Sequence, residues 1–129
     1  MSGYTIVNLK NIEDRASEGG PRLEARMGRS AIGSDHVGVS YIRWAPGRRD
    51  ARGHAHREQE EVYVVLGGSG SVKLDDEVHE LQPWDVVRVA PATFRGFSAG
   101  PDGLELLAIG SDRPEGGDGV QSEDEWWDA

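Results

Sequence analysis

Gly47-Arg48-Arg49-Asp50-Ala51-Arg52-Gly53-His54-Ala55-His56-Arg57-Glu58-Gln59-Glu60-Glu61-Val62-Tyr63-Val64-Val65-Leu66-Gly67-Gly68 is the stretch whose reading decides the rest of the chain. It joins a His-x-His pair to a run rich in β-branched and aromatic residues, Glu61 to Leu66, that reads as a strand. On extended backbone, residues two apart share a face, so the imidazoles of His54 and His56 converge within reach of one ion. Four residues then allow the chain to turn back and lay the Glu61 carboxylate beside them. Glu60 competes for that role, but neighbouring strand residues face opposite sides, and Glu61 is the expected ligand. Two histidines and one carboxylate with open positions suit iron, manganese, nickel or zinc. Tyr63 and Val65 share the Glu61 face, so Tyr63 is a candidate substrate-binding residue, although packing is the commoner role of a strand tyrosine.

Outward from this stretch, short apolar runs alternate with turn signals. Val37 to Ile42 reads as a strand ended by Ala45-Pro46-Gly47. Gly67-Gly68-Ser69-Gly70 reads as a turn: it lacks the Lys-Ser/Thr of a phosphate loop and precedes a strand. Ser71 to Leu74 and Val78 to Leu81 form a hairpin through Asp75-Asp76-Glu77. Asp85 to Val89 and Leu104 to Ile109 are two further strands, separated by Pro91, Gly96 and Gly100-Pro101-Asp102-Gly103. Upstream lie a weak strand at Tyr4 to Leu9, a helical turn at Ile12 to Ser17, and a strand-like alternation from Arg22 to Met27. With no convincing amphipathic helix, the pattern predicts an all-β antiparallel sandwich or barrel. It divides into an extended lead-in at 1–35, a barrel at 36–110 and an acidic tail at 111–129.

The 129 residues suit one domain, and the formal net charge is -9. Much of it sits in the tail, where Asp112, Glu115, Asp118, Glu123, Asp124, Glu125 and Asp128 face a single base, Arg113. The near-balanced remainder offers no footprint for nucleic acid. Cysteine is absent, which excludes disulfide frameworks, Cys-based zinc sites and cysteine nucleophiles. No apolar run is long enough for a membrane helix, and the first residues lack a secretory pattern, so a cytoplasmic location is expected. Trp126-Trp127 is expected to dock on the barrel or on a partner subunit. Arg43, Arg48, Arg49, Arg52 and Arg57 surround the His-x-His pair. They read first as a solvated loop and second as a device steering anions. His36 and His79 stand alone and are not assigned as ligands; His79 points outward if Val78 faces the core.

The stretch from Gly47 to Gly68 resembles the first motif of the cupin superfamily: a glycine, His-x-His, a glutamate, and a glycine seven positions later. It carries one extra residue between Gly47 and His54. Pro83-Trp84-Asp85-Val86-Val87-Arg88-Val89-Ala90-Pro91-Ala92-Thr93-Phe94-Arg95-Gly96-Phe97 resembles the second motif. Trp84 stands where that motif has glycine, and Arg95 where counting from Asp85 puts a histidine ligand. The resemblance covers roughly residues 36–110 and implies a double-stranded β-helix, or jelly roll, with metal ligands His54, His56 and Glu61. Guanidinium does not ligate metals. Arg95 therefore either points at the mouth and clamps an anionic substrate, or pairs with Glu61 in a metal-free binding or sensor protein. Substrate binding by Arg95 and Tyr63, a small anionic ligand, oxygenase or isomerase chemistry and a homodimer are expectations of the first reading.

Overall fold

The structure is a computed structural model that describes residues 3–128; Met1, Ser2 and Ala129, the ends of the expected lead-in and tail, lie outside it. Eight strands follow along the chain: β1 Arg22–Met27, β2 Gly38–Trp44, β3 His54–His56, β4 Glu61–Leu74, β5 Glu77–Leu81, β6 Val86–Val89, β7 Arg95–Gly110 and β8 Gly119–Gln121. One four-residue helix, α1 Arg29–Ile32, interrupts them. Every strand pairing is antiparallel.

Two long strands organise the sheet. The second half of β7 pairs with β2 on one side, Leu104 opposite Trp44 to Gly110 opposite Gly38, and with the first half of β4 on the other. β1 extends this layer beyond β2, and β6 extends it beyond β4. The first half of β7 pairs with the second half of β4 and with β3, while β5 and β8 flank that layer. β4 and β7 thus run through both layers and curl the sheet, as a double-stranded β-helix requires.

That continuity differs from the sequence expectation. Gly67 to Gly70 does not end a strand, and Gly100 to Gly103 does not separate two; both lie inside strands. The register shifts between Val65 and Gly67 and between Gly68 and Gly70. A Cβ on Gly68 would stand 2.1 Å from the Gly103 carbonyl oxygen, and one on Gly70 2.2 Å from that of Ser98. Glycines here let two backbones cross closely at a bend while the ladder continues.

Inward-facing Tyr63 and Val65 of β4, with Leu104 and Leu106 of β7, are buried and alternate as strand periodicity demands. Phe97 packs on Trp44 and Tyr63, with ring centroids 5.2 and 4.9 Å apart. Asp50 ties this core to its surroundings: it accepts from Trp44 Nε1 at 2.8 Å, Arg22 Nε at 3.2 Å and the Phe97 amide at 3.0 Å.

The ends of the chain correct the sequence reading in several places. Tyr4 to Leu9 is not a strand, since it has no ladder partner; a 3₁₀ turn follows at Leu9–Asn11. Ile12 to Ser17 forms no helical turn, and Asp14 instead bridges Arg26. The lead-in nevertheless contributes β1, anchored by Glu24, which gathers Lys10, Arg26 and Arg43, each at 2.8 Å. Val78 is exposed, as is His79, because β5 is an edge strand with only Leu81 buried.

The acidic tail docks. β8 pairs with β3, Trp127 Nε1 donates to the Asp50 carbonyl at 2.7 Å, and Trp126 covers Gly53 and Gly96. Lys73, pointing away from the core, is buried beneath it: its ammonium lies over the Trp126 ring and donates to the Trp126 carbonyl. Glycine at positions 53 and 96 leaves the space the indole fills.

Candidate metal centre

β3 delivers both histidines to one face, as the two-residue period requires, with their rings 5.3 Å apart and perpendicular. The first residue of β4 brings Glu61 against them: Oε1 lies 3.1 Å from His56 Nε2 and 3.5 Å from His54 Nε2. One ligand atom from each of the three lies within 4.8 Å of the others. Glu60 faces outward and accepts from Arg88 Nη1 at 2.8 Å.

Asp118 supports the site from the tail. Its Oδ1 lies 2.8 Å from His56 Nδ1, while its Oδ2 accepts the Glu58 and Gln59 amides, both at 2.8 Å. Burial favours the neutral Asp118 carboxyl, but these amides and His56 outweigh it and hold its pKa at about 2. The permanent carboxylate claims the proton on Nδ1, so Nε2, which donates to Glu61 at 3.1 Å, is the nitrogen that would ligate a metal on losing its own proton. The sequence reading missed Asp118, which no motif marks among the seven acids of the tail.

Burial also acts to raise the Glu61 pKa, yet hydrogen bonds from His54, His56 and Tyr63 hold it well below the usual range. Tyr63 donates to Oε1 at 2.5 Å, and burial together with the Glu61 charge pushes its hydroxyl far up, so it remains a donor. The same Glu61 contact raises the His56 pKa, against its burial.

The donor set fits a first-row metal. Ligands about 2.1 Å from such an ion stand roughly 3.0 to 3.4 Å from one another in octahedral or tetrahedral arrangement. The two His to Glu61 separations, 3.1 and 3.5 Å, are close to those values. His54, His56 and Glu61 supply two imidazoles and a carboxylate that favour borderline metals over calcium or magnesium.

Arg95 does not reach the mouth. Its side chain is fully buried, and the residue pairs in register with His54. Nη2 donates to Ala90 O at 3.0 Å and Nη1 to His54 O at 3.4 Å; Nη1 lies 3.9 Å from Glu61 Oε1, and Nε has no partner. The guanidinium offsets the Glu61 charge without a bidentate bond to it. A cavity of about 370 Å³ opens in front of the site, with His54, His56, Glu61, Tyr63 and Gln59 in its wall. The basic residues around the motif lie elsewhere. Arg52 pairs with Asp124 at 2.6 Å, Arg49 with Asp128 at 3.7 Å, and Arg43 with Glu24. Outside the site, His36 meets Asp112 at 2.8 Å on the surface.

The family described as Cupin domain matches residues 40–110, which contain His54, His56 and Glu61 and most of both layers. The chain belongs to the cupin family. No curated protein matches it significantly. Among solved structures, it is similar to a cupin protein from Bacteroides fragilis, at 24% identity with a TM-score of 0.72, covering 88% of each chain. It is also similar to a sugar phosphate isomerase from a cupin superfamily, from Silicibacter pomeroyi, at 23% identity and a TM-score of 0.72, covering 85% of this cupin and 77% of that chain. A putative sugar phosphate isomerase from Acidithiobacillus ferrooxidans is 28% identical with a TM-score of 0.62; the match covers 70% of this cupin and 58% of that chain. Among the described residues, no helix is long and apolar enough to cross a membrane.

Proposed function

We propose that this cupin holds a divalent transition metal, iron, manganese, nickel or zinc, on His54, His56 and Glu61, and that it acts on a small anionic molecule bound in the adjoining cavity. The convergence of three ligand atoms within 4.8 Å carries this reading. The Asp118 contact, which occupies His56 Nδ1 and so leaves Nε2 as the nitrogen directed at the site, supports it. Isomerisation of a phosphorylated sugar is the favoured chemistry, supported by the similar cupins described as sugar phosphate isomerases. A bound divalent ion would supply a Lewis acid for a carbonyl or hydroxyl oxygen. Tyr63 holds the Glu61 carboxylate and forms part of the floor on which substrate rests.

The alternative, a metal-free binding protein built on an Arg95–Glu61 pair, is less well supported. The hydrogen-bond donors of Arg95 go to two backbone carbonyls, and its approach to Glu61 is 3.9 Å. A cytoplasmic homodimer belongs to the same proposal. Tyr4 and Ile6 on the N-terminal arm, 76% and 86% exposed, are apolar surface that a second copy could cover.

Elemental analysis by plasma mass spectrometry of protein made without a histidine tag tests the reading. Near-stoichiometric metal is expected in wild type and its loss in His56→Ala. A wild type that is metal-free and refuses added metal overturns the metal site.

A further inference from the structure

With Arg95 buried, recognition of an anion falls to other residues. Three guanidinium groups line the cavity: Arg22, Arg29 and Arg113. Arg29 is committed to backbone, donating from Nη2 to the carbonyls of Gly110 at 3.2 Å and Ser111 at 2.5 Å. Arg22 and Arg113 are not.

Arg22 is fixed at one end and free at the other. Its Nε donates to Asp50 Oδ1 at 3.2 Å, and its guanidinium lies 5.0 Å from the Trp44 ring centroid, whose indole is itself tied to Asp50. Neither terminal nitrogen donates to an acceptor among the described residues. A planar fork held by its stem and face loses little freedom when it meets an oxyanion. Arg113 lies across the Gly116-Gly117 turn, with Nη2 3.1 Å from where a Cβ of Gly117 would stand. The positive φ of that glycine, 81°, makes the turn, and its missing side chain leaves room for the guanidinium. Arg113 has no ion pair or hydrogen-bond acceptor among the described residues, and it is exposed.

We infer that Arg22 and Arg113 form an oxyanion subsite that binds the terminal phosphate or carboxylate of a small molecule, whose other end faces His54, His56 and Glu61. The inference rests on the reading that the cavity takes an anionic molecule, and it gives that reading its residues. Arg22 supplies the rigid fork, and Arg113 supplies a second charge from a loop that also carries Asp118.

Calorimetric titration of inorganic phosphate, and separately of acetate, into chelator-treated protein tests the subsite without a metal competing for the anion. Saturable binding of at least one is expected, weakened by about tenfold in Arg22→Leu and in Arg113→Ala, the loss of a charge-assisted contact. Arg15→Ala, an equal charge change at a residue outside the cavity, leaves it unchanged. Arg22→Lys keeps the charge, loses the fork and falls between; it also covers the case in which Arg22→Leu fails to fold. Phosphate alone or acetate alone assigns the ligand to one oxyanion class. No saturable binding in wild type, or equal affinity in every variant, overturns the subsite. Metal content measured on the same proteins keeps the two questions apart: arginine-dependent binding in a wild type that refuses metal upholds the subsite and removes the metal, and the converse removes the subsite alone.

Discussion

His56 is gripped from both sides, by Glu61 at one ring nitrogen and Asp118 at the other. Only the first partner was legible. Glu61 sits five residues away on a strand of clear periodicity, whereas Asp118 is 62 residues distant in a polar segment, and no local pattern links them. The burial of Arg95 was equally hidden, because its contacts include His54 and Glu61, which lie far from it in sequence. Replacing Asp118 by Asn removes the charge that orients His56 while keeping one amide acceptor. Metal affinity, read by chelator competition, is expected to fall about 10- to 100-fold with the fold intact. Trp84 carries a different kind of signal. It stands where the second cupin motif has glycine, its φ is 75°, and it is 77% exposed. A bulky residue there bears left-handed strain and makes little packing in return. Trp84→Gly is therefore expected to stabilise the protein by about 1 kcal/mol in denaturant unfolding.

At the scale of elements, the strands with local signals were legible: β1, β2, the start of β4, the β4–β5 hairpin and β6. The length of β4 and β7 was not, since glycine reads as a terminator in sequence and acts here as a hinge between layers. Two alanine substitutions separate these roles. Gly47 has φ 69° with nothing near its would-be Cβ, so Gly47→Ala meets backbone strain alone, about 1 kcal/mol. Gly68, at φ 79°, adds collision with the Gly103 backbone. Gly68→Ala is expected to cost about 3 kcal/mol or more, or to prevent folding. Thermal unfolding of the two side by side checks the order; equal losses would mean that the layers do not cross at Gly68.

For the molecule as a whole, the two flanks expected as lead-in and tail are working parts of the sheet. Their composition gave little warning, because polar, glycine-rich segments look alike whether solvated or docked, and only the Trp126-Trp127 pair stood out. The N-terminal flank also sets an acid limit. Lys10, Arg26 and Arg43 lower the Glu24 pKa from 4.5 to about 2 despite its burial. Because the folded value is the lower one, the stability this group contributes is complete above pH 4.5 and is lost as pH falls toward about 2. Glu24→Gln should be less stable than wild type at neutral pH, by about 2 kcal/mol, and the gap should close across that window; circular-dichroism melts at stepped pH measure it. The dependence of His56 on Asp118 has a consequence in time. At about 5 to 20 residues per second, a ribosome makes Asp118 roughly 3 to 12 s after His56. The nascent chain passes through a stage with His54, His56 and Glu61 made but no Asp118 at His56 Nδ1, so tight capture of the proposed metal would be deferred until the late-made segment has folded back onto β3.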